Sequence, residues 1–191
     1  SVSTNAHLPI SVKMAEDLAD KIDTIQVSID GIGKVYEKVR LKSDYSFFYE
    51  NMLQTIEACR GKRATVMFNF VAIKENYHDM ADVVELAGKL GVKYVNITPF
   101  NVASVTIHDK TYYDFFQTAE FKSELKRAKA MSKNYPEIEF TTWDIEVPKG
   151  FRKCDLVWSH FYVSWDGYAT PCCAKPFPKE LNFGSIFDDG L

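Results

Sequence analysis

The sequence has no long apolar run, no excess of one charge and few histidines, and these absences exclude several classes of protein. No segment reaches the length of about 20 apolar residues that a membrane-spanning helix needs. The 23 basic and 26 acidic residues give a net charge of −3, which leaves no electrostatic footprint for nucleic acid or an anionic membrane. The four histidines have no metal-ligand spacing. We therefore expect neither a membrane partner nor a nucleic-acid partner.

Cysteine is also scarce, which argues against a disulfide-stapled secreted domain. The 191 residues contain four: Cys59, Cys154, Cys172 and Cys173. No secretory leader opens the sequence, so we expect reduced thiols in the cytoplasm. Because the first residue is Ser1 and not Met, we also expect a piece of a longer protein.

Strand and helix patterns alternate from residue 1 to about 142, in a chain with enough apolar residues (46%) for a substantial core. Strands are predicted at 1–5, 24–30, 64–73, 94–99 and 138–142. Helical spacing of apolar residues lies between them, at 12–22, 34–41, 44–60, 76–90 and 119–134. This alternation predicts an α/β fold with a parallel sheet, whether a barrel or an open doubly wound sheet.

The pattern changes after Pro148, where prolines and cysteines concentrate. Segments 161–165 and 168–170 flank Asp166-Gly167, a dipeptide typical of a hairpin turn. We therefore divide the chain into a first domain at 1–147 and a small, incomplete second module at 148–191.

The cysteines of this module have a specific spacing around the turn. Twelve residues separate Cys154 from Gly167, and four separate Gly167 from Cys172. A hairpin with a thiolate on either side aims both sulfurs at one iron–sulfur or zinc centre. Two thiolates do not complete a four-thiolate site, and the spacing equally fits free cysteines in a core.

The stretch CDLVWSHFYVSWDGYATPCC, followed by FGSIF, resembles the start of the SPASM/twitch auxiliary-cluster module of radical S-adenosylmethionine (SAM) enzymes. That module begins with Cys, 9–15 residues, Gly, four residues and Cys, which Cys154, Gly167 and Cys172 match. The upstream motifs STNA, QVSIDG, VMFNFVAIKENY and VNITPFN are similar, in order, to strands three to six of the radical SAM barrel. The resemblance therefore implies a partial radical SAM barrel followed by a β-hairpin module.

The resemblance also implies a set of site residues at the carboxyl ends of the strands. It assigns SAM binding to Ser28, Arg40, Thr98 and Phe100, and ligation of an auxiliary 4Fe–4S cluster to Cys154 and Cys172. Two further candidates for cofactor binding follow from position: Asp30 lies two residues after Ser28 at a strand end, and Asn69 is a polar residue within an apolar strand. Other roles stay open for several of these residues. Ser28 and Asp30 fit a capping or turn role, Arg40 fits a solvated helix face, and Asn69 fits a structural hydrogen bond.

One departure from the family bears on activity. Radical SAM enzymes hold their radical-generating cluster with CxxxCxxC, and none of the four cysteines here has that spacing. The resemblance implies a parent enzyme that cleaves SAM to a 5′-deoxyadenosyl radical, takes electrons from a donor and modifies a peptide, a protein or a small molecule. We expect the fragment itself to carry no complete cofactor, to be inactive and to self-associate. The alternative is a non-catalytic α/β binding module with a zinc or structural thiol hairpin.

Overall fold

The computed structural model describes residues 1–8, 11–100, 114–143, 161–172, 177–179 and 181–188. These residues belong to two compact units. The first contains the described residues up to Trp143, and the second contains those from Phe161 onward. The domain boundary predicted at 147/148 lies outside the described residues and stays a prediction.

The first unit is a five-stranded parallel sheet with helices between its strands. Its strands are β1 (Val2–Thr4), β2 (Thr24–Ser28), β3 (Thr65–Ala72), β4 (Tyr94–Pro99) and β5 (Glu139–Thr142). Its helices are α1 (Val12–Lys21), α2 (Lys34–Val39), α3 (Tyr45–Cys59), α4 (Met80–Leu90) and α5 (Ala119–Ser132), with a 3₁₀ turn at Tyr77–Asp79 before α4. The predicted α/β class is confirmed. Element ends lie within two residues of those predicted, except that α4 begins four residues later, after the 3₁₀ turn.

Local sequence sets where the helices begin. The side-chain oxygens of Ser11, Asp44 and Thr118 each accept a hydrogen bond from the backbone N–H three residues later, at the starts of α1, α3 and α5. These caps satisfy donors that have no partner within the helix. None of the helices that the structure describes is long and apolar enough to cross a membrane.

Strand order decides between the two sheet types that the sequence allowed. The strands lie in the order β1-β2-β3-β4-β5, so each strand pairs with its neighbours in sequence and all pairs are parallel. A doubly wound sheet would reverse its strand order at a switch point. Consecutive order is that of neighbouring strands in a (βα) barrel, and the five described strands form an open part of such a barrel.

The two faces of the sheet differ in burial. Residues alternate strictly along β2 and β3, and every second one, such as Val27, Phe68 and Phe70, is fully buried under the helices. The residues between them, including Gln26 and Asn69, are half-buried. The nearly continuous apolar run at 64–73 is typical of a strand covered on both faces, but this expectation is wrong, because one face of the sheet carries polar side chains and stays partly open to solvent.

A close approach at Gly88 fixes the packing of α4 against the end of α5. A Cβ built on Gly88 would lie 2.3 Å from the Tyr135 ring. Replacing Gly by Ala normally stabilises a helix interior by about 1 kcal/mol. Here we expect Gly88→Ala to lower the free energy of unfolding by about 1–3 kcal/mol through overpacking.

Urea denaturation of Gly88→Ala measures this effect, and Tyr135→Ala provides the matched background. In that background the clash is gone, so adding Gly88→Ala should raise stability. A loss of the same size in both backgrounds would contradict the packing explanation.

The second unit contains the predicted hairpin. Strands β6 (Tyr162–Val163) and β7 (Ala169–Thr170) pair antiparallel, and Gly167 adopts a φ of +85° in the turn between them. The FGSIF segment continues the pairing, because Phe183 N–H donates to Ala169 O at 2.8 Å and Ala169 N–H donates to Gly184 O at 3.0 Å. The two short sequences that carried the module resemblance therefore lie side by side.

Candidate functional site

A row of polar side chains crosses the sheet and reaches its carboxyl edge at Ser28, the last residue of β2. Strand register places Ser28 beside Asn69, Asn69 beside Asn96, and Asn96 beside Thr141. Thr141 Oγ1–H donates to Asn96 Oδ1 at 3.0 Å, and Asn96 Nδ2–H donates to Asn69 Oδ1 at 2.8 Å. Because Asn69 Oδ1 accepts from Asn96, the amide N–H donors of Asn69 are the groups that it can offer to a ligand. An acceptor such as a carboxylate or carbonyl oxygen would complement these donors.

The sequence predicted Ser28 and Asn69 in this row but missed Asn96 and Thr141. A signal was present, because Asn96 interrupts an apolar strand as Asn69 does. Only strand register shows that the two amides are opposite each other. Thr98 aligns with Val71, two residues beyond the row, and Phe100 follows β4 with its side chain 40% exposed.

Asp30 and Arg40, both predicted as cofactor contacts, form an ion pair with each other. Arg40 Nη2 lies 2.6 Å from Asp30 Oδ2, and the Asp30 side chain is only 10% exposed. The other oxygen, Asp30 Oδ1, accepts from the Val71 N–H at 2.9 Å. The structure therefore places the carboxylate between the end of α2 and strand β3.

Arg40 retains donors for another group. Its Nε–H is buried and has no acceptor among the described atoms, and its guanidinium carbon lies 6.0 Å from the centre of the Tyr36 ring. A guanidinium fork with an unmet donor matches a carboxylate, which accepts two parallel hydrogen bonds. The residues present therefore fit the carboxylate-bearing end of a ligand such as SAM.

Two residues that sequence reasoning did not single out hold the loop after β2 in place. Asn76 is fully buried, and its amide nitrogen donates to Asp30 O at 3.1 Å and to Val71 O at 2.9 Å. Asp79 Oδ2 accepts from the Ile32 N–H at 2.8 Å. Both residues lie after β3, so they tie the loop that carries Asp30 to the next βα connection.

Burial changes the ionisation of Tyr45, the first residue of α3, whose ring packs against Tyr36. Burial raises the pKa of Tyr45 to about 12, with smaller contributions from Tyr49, Asp79 and Tyr36. Because the unfolded chain ionises at this position near pH 10, the stabilisation is complete below pH 10 and is lost as the pH rises to about 12. We expect the loss to be on the order of 1 kcal/mol after screening by solvent.

In Tyr45→Phe, the free energy of unfolding should therefore decrease less between pH 10 and 12 than it does in the wild type. Urea midpoints at pH 8 and pH 11 for both proteins measure the difference. An equal fall in the variant would show that the Tyr45 hydroxyl does not contribute.

A cavity lies at the opposite, amino-terminal edge of the sheet. It has a volume of about 610 Å³ and is lined at the ends of α3 and α4 by residues that include Cys59, Lys62, Gly91 and Lys93. None of the predicted SAM residues lines it. Lys62 pairs with Asp20 at 3.1 Å, so part of its basic lining is already neutralised.

The predicted cluster ligands are only partly visible. Cys172 is a half-buried free thiol two residues after β7, whereas Cys154 and Cys173 lie outside the described residues. In the part of the chain that the structure describes, no three His, Cys, Asp or Glu side chains are grouped as for a metal ion. Cys172 supplies one soft thiolate donor of the type that iron–sulfur clusters use. The approach of Cys154 to Cys172 therefore stays a prediction.

Comparisons with known proteins support both parts of the sequence interpretation. Residues 154–191 match the SPASM family model, described as an iron–sulfur cluster-binding domain. No curated protein matches the chain. The fold is similar to the crystal structure of Streptococcus suis SuiB bound to S-adenosylmethionine, with a TM-score of 0.66 and 14% identity. That match covers 99% of this chain and 45% of the SuiB chain, so the chain spans less than half the length of SuiB. The chain thus has a fold similar to that of SuiB, and its residues 154–191 match the SPASM model, which confirms the resemblance of this segment to a SPASM module.

Proposed function

We propose that this chain is part of an enzyme that reductively cleaves SAM and uses the product to abstract hydrogen from a substrate. One electron from a low-potential donor would split SAM into methionine and a 5′-deoxyadenosyl radical. Hydrogen transfer from a peptide, a protein or a small molecule would give 5′-deoxyadenosine and a substrate radical. The observation that carries the proposal is the unmet donor of Arg40. This residue pairs with Asp30 just beyond β2, at the carboxyl edge of a parallel sheet whose polar row includes Ser28, the last residue of β2. Ligands of such sheets bind at that edge.

Each residue of the edge would have a simple task. Arg40 would bind the SAM carboxylate, and Ser28 and Asn69 would donate hydrogen bonds to polar atoms of the same ligand. Thr98 and Phe100 would border the adenine, since they lie where β4 ends. The half-buried face of the sheet would exclude bulk water from the reacting atoms once the ligand is in place.

The second unit would hold an auxiliary 4Fe–4S cluster with Cys154 and Cys172 among its thiolate ligands. Such a cluster supplies a path for electrons or an anchor for substrate. The hairpin would position Cys172, because the thiol lies only two residues after β7.

The chain by itself should not turn over. None of its cysteines has the CxxxCxxC spacing of the radical-generating cluster, which would also hold the amino and carboxylate groups of SAM. We propose that the isolated chain binds SAM with a dissociation constant well above micromolar, that is, more weakly than about −8 kcal/mol. We also propose that it self-associates through its open sheet.

The test uses the full-length protein, purified without oxygen. The proposal requires iron and sulfide in the protein, visible absorption typical of 4Fe–4S clusters, and 5′-deoxyadenosine from SAM after reduction with dithionite. Zinc without iron would favour the alternative of a non-catalytic module with a thiol hairpin. Iron without SAM cleavage under reduction would contradict the proposed reaction while leaving the cluster assignment intact.

A further inference from the structure

We infer that Asp30 is a positioning residue that orients Arg40 toward the ligand carboxylate, and that it does not itself contact SAM. The inference rests on the proposed function and replaces the direct cofactor contact that the sequence predicted for Asp30. In this arrangement Arg40 binds the ligand carboxylate, and Asp30 contacts Arg40 but not the ligand.

Both carboxylate oxygens of Asp30 already have partners. Oδ2 accepts from Arg40 Nη2 at 2.6 Å, and Oδ1 accepts from the Val71 N–H at 2.9 Å. The residue is 7% exposed, so little of it is accessible to a ligand. A second carboxylate would also be repelled by Asp30 at short range, whereas it would be attracted by Arg40.

The Asp30 carboxylate is fixed to the sheet from two directions. Its Oδ1 atom accepts a hydrogen bond from the backbone of β3. The backbone carbonyl oxygen of Asp30 accepts from the buried Asn76 amide at 3.1 Å. Arg40, by contrast, ends a six-residue helix and is a long side chain with several rotamers. The ion pair holds the Arg40 guanidinium at a fixed place relative to β3. The Arg40 side chain therefore loses less conformational freedom when a ligand binds.

This arrangement leaves a defined part of the guanidinium for the ligand. One of its five N–H donors is used by Asp30, and the buried Nε–H has no acceptor among the described atoms. The free donors would hold the ligand carboxylate by directed hydrogen bonds, which depend on the orientation of the guanidinium.

The experiment compares two probes, SAM and decarboxylated SAM, which lacks only the carboxylate that Arg40 would bind. Their dissociation constants are measured by equilibrium dialysis with the cluster-loaded, full-length protein and its variants. We expect Asp30→Asn to weaken SAM binding about tenfold and to change binding of decarboxylated SAM less than about twofold. In an Arg40→Gln background, Asp30→Asn should add nothing further, because the residue it orients is gone.

Several outcomes would overturn the inference. Equal weakening of both probes by Asp30→Asn would mean that Asp30 contacts the nucleoside or acts only on folding. Additive losses in the double variant would mean that Asp30 acts independently of Arg40. A wild-type protein that binds both probes equally would show that Arg40 does not read the carboxylate, and one that binds neither would overturn the proposed function itself.

A second readout on the 191-residue chain does not depend on SAM or on clusters. Asp30→Ala removes the acceptor of the Val71 N–H, so amide exchange at Val71 should accelerate about tenfold. Asp30→Asn and Arg40→Gln keep that acceptor and should leave the exchange unchanged. Asp23→Asn is the matched control, since Asp23 pairs with Arg63 at 2.6 Å just before β2, on an exposed surface. Unchanged Val71 exchange in Asp30→Ala would contradict the anchoring of Asp30 to β3.

Discussion

Replacing Asn76 with Asp is expected to lower the free energy of unfolding by about 3 kcal/mol or more. The Asn76 amide nitrogen donates to two carbonyl oxygens, those of Asp30 and Val71, and its oxygen accepts from the Ile73 N–H at 2.7 Å. The side chain is fully buried. An ionised Asp of the same size would place acceptors and a negative charge against both carbonyls, and burying an unpaired charge is costly.

Urea denaturation of the 191-residue chain measures this effect at pH 7. Asn76→Ala removes the same bonds without adding charge, and we expect it to be less damaging than Asn76→Asp. Asn134→Ala, at an exposed position, is the matched control and should change stability by less than about 0.5 kcal/mol. If Asn76→Asp were tolerated as well as Asn134→Ala, the loops that carry Asp30 and Asn76 would not depend on each other.

The second large effect concerns the cysteine module. If Cys172 ligates an auxiliary cluster, Cys172→Ser in the full-length protein should remove that cluster and lower the iron content by about four atoms per chain. A thiolate is the ligand that Fe–S clusters prefer, and a serine hydroxyl is a poor substitute. Iron and sulfide analysis of anaerobically prepared protein gives the result.

Cys59→Ala is the control for this experiment. Cys59 is 8% exposed at the end of α3, where burial raises the pKa of its thiol and disfavours the thiolate that a metal requires. Its replacement should leave the iron content unchanged. Equal iron in wild type and Cys172→Ser would remove Cys172 from the ligand set, and loss of iron in Cys59→Ala would show that folding defects alone release it.

Local pattern was sufficient to predict which segments form strands and helices. Apolar residues at helical spacing and capping residues such as Asp44 act within a few neighbours, so their effect is visible in the sequence. The β6–β7 hairpin was predictable for the same reason, because the Asp166-Gly167 turn needs only its own residues. The family resemblance also depended on short contiguous motifs.

Side-chain partnerships required the tertiary structure, because they join residues distant in sequence. Asp30 and Arg40 were both predicted to contact SAM, yet the fold pairs them with each other at 2.6 Å. Asn96 joins Asn69 only because of the register between β3 and β4, which the apolar pattern of either strand leaves undefined.

The open, polar face of the sheet was missed for a related reason. A nearly continuous apolar strand is compatible with cover on both sides, and only consecutive strand order places every helix on one side. Sequence thus determined the elements and the chemistry of the candidate residues, while packing and register decided which of them meet.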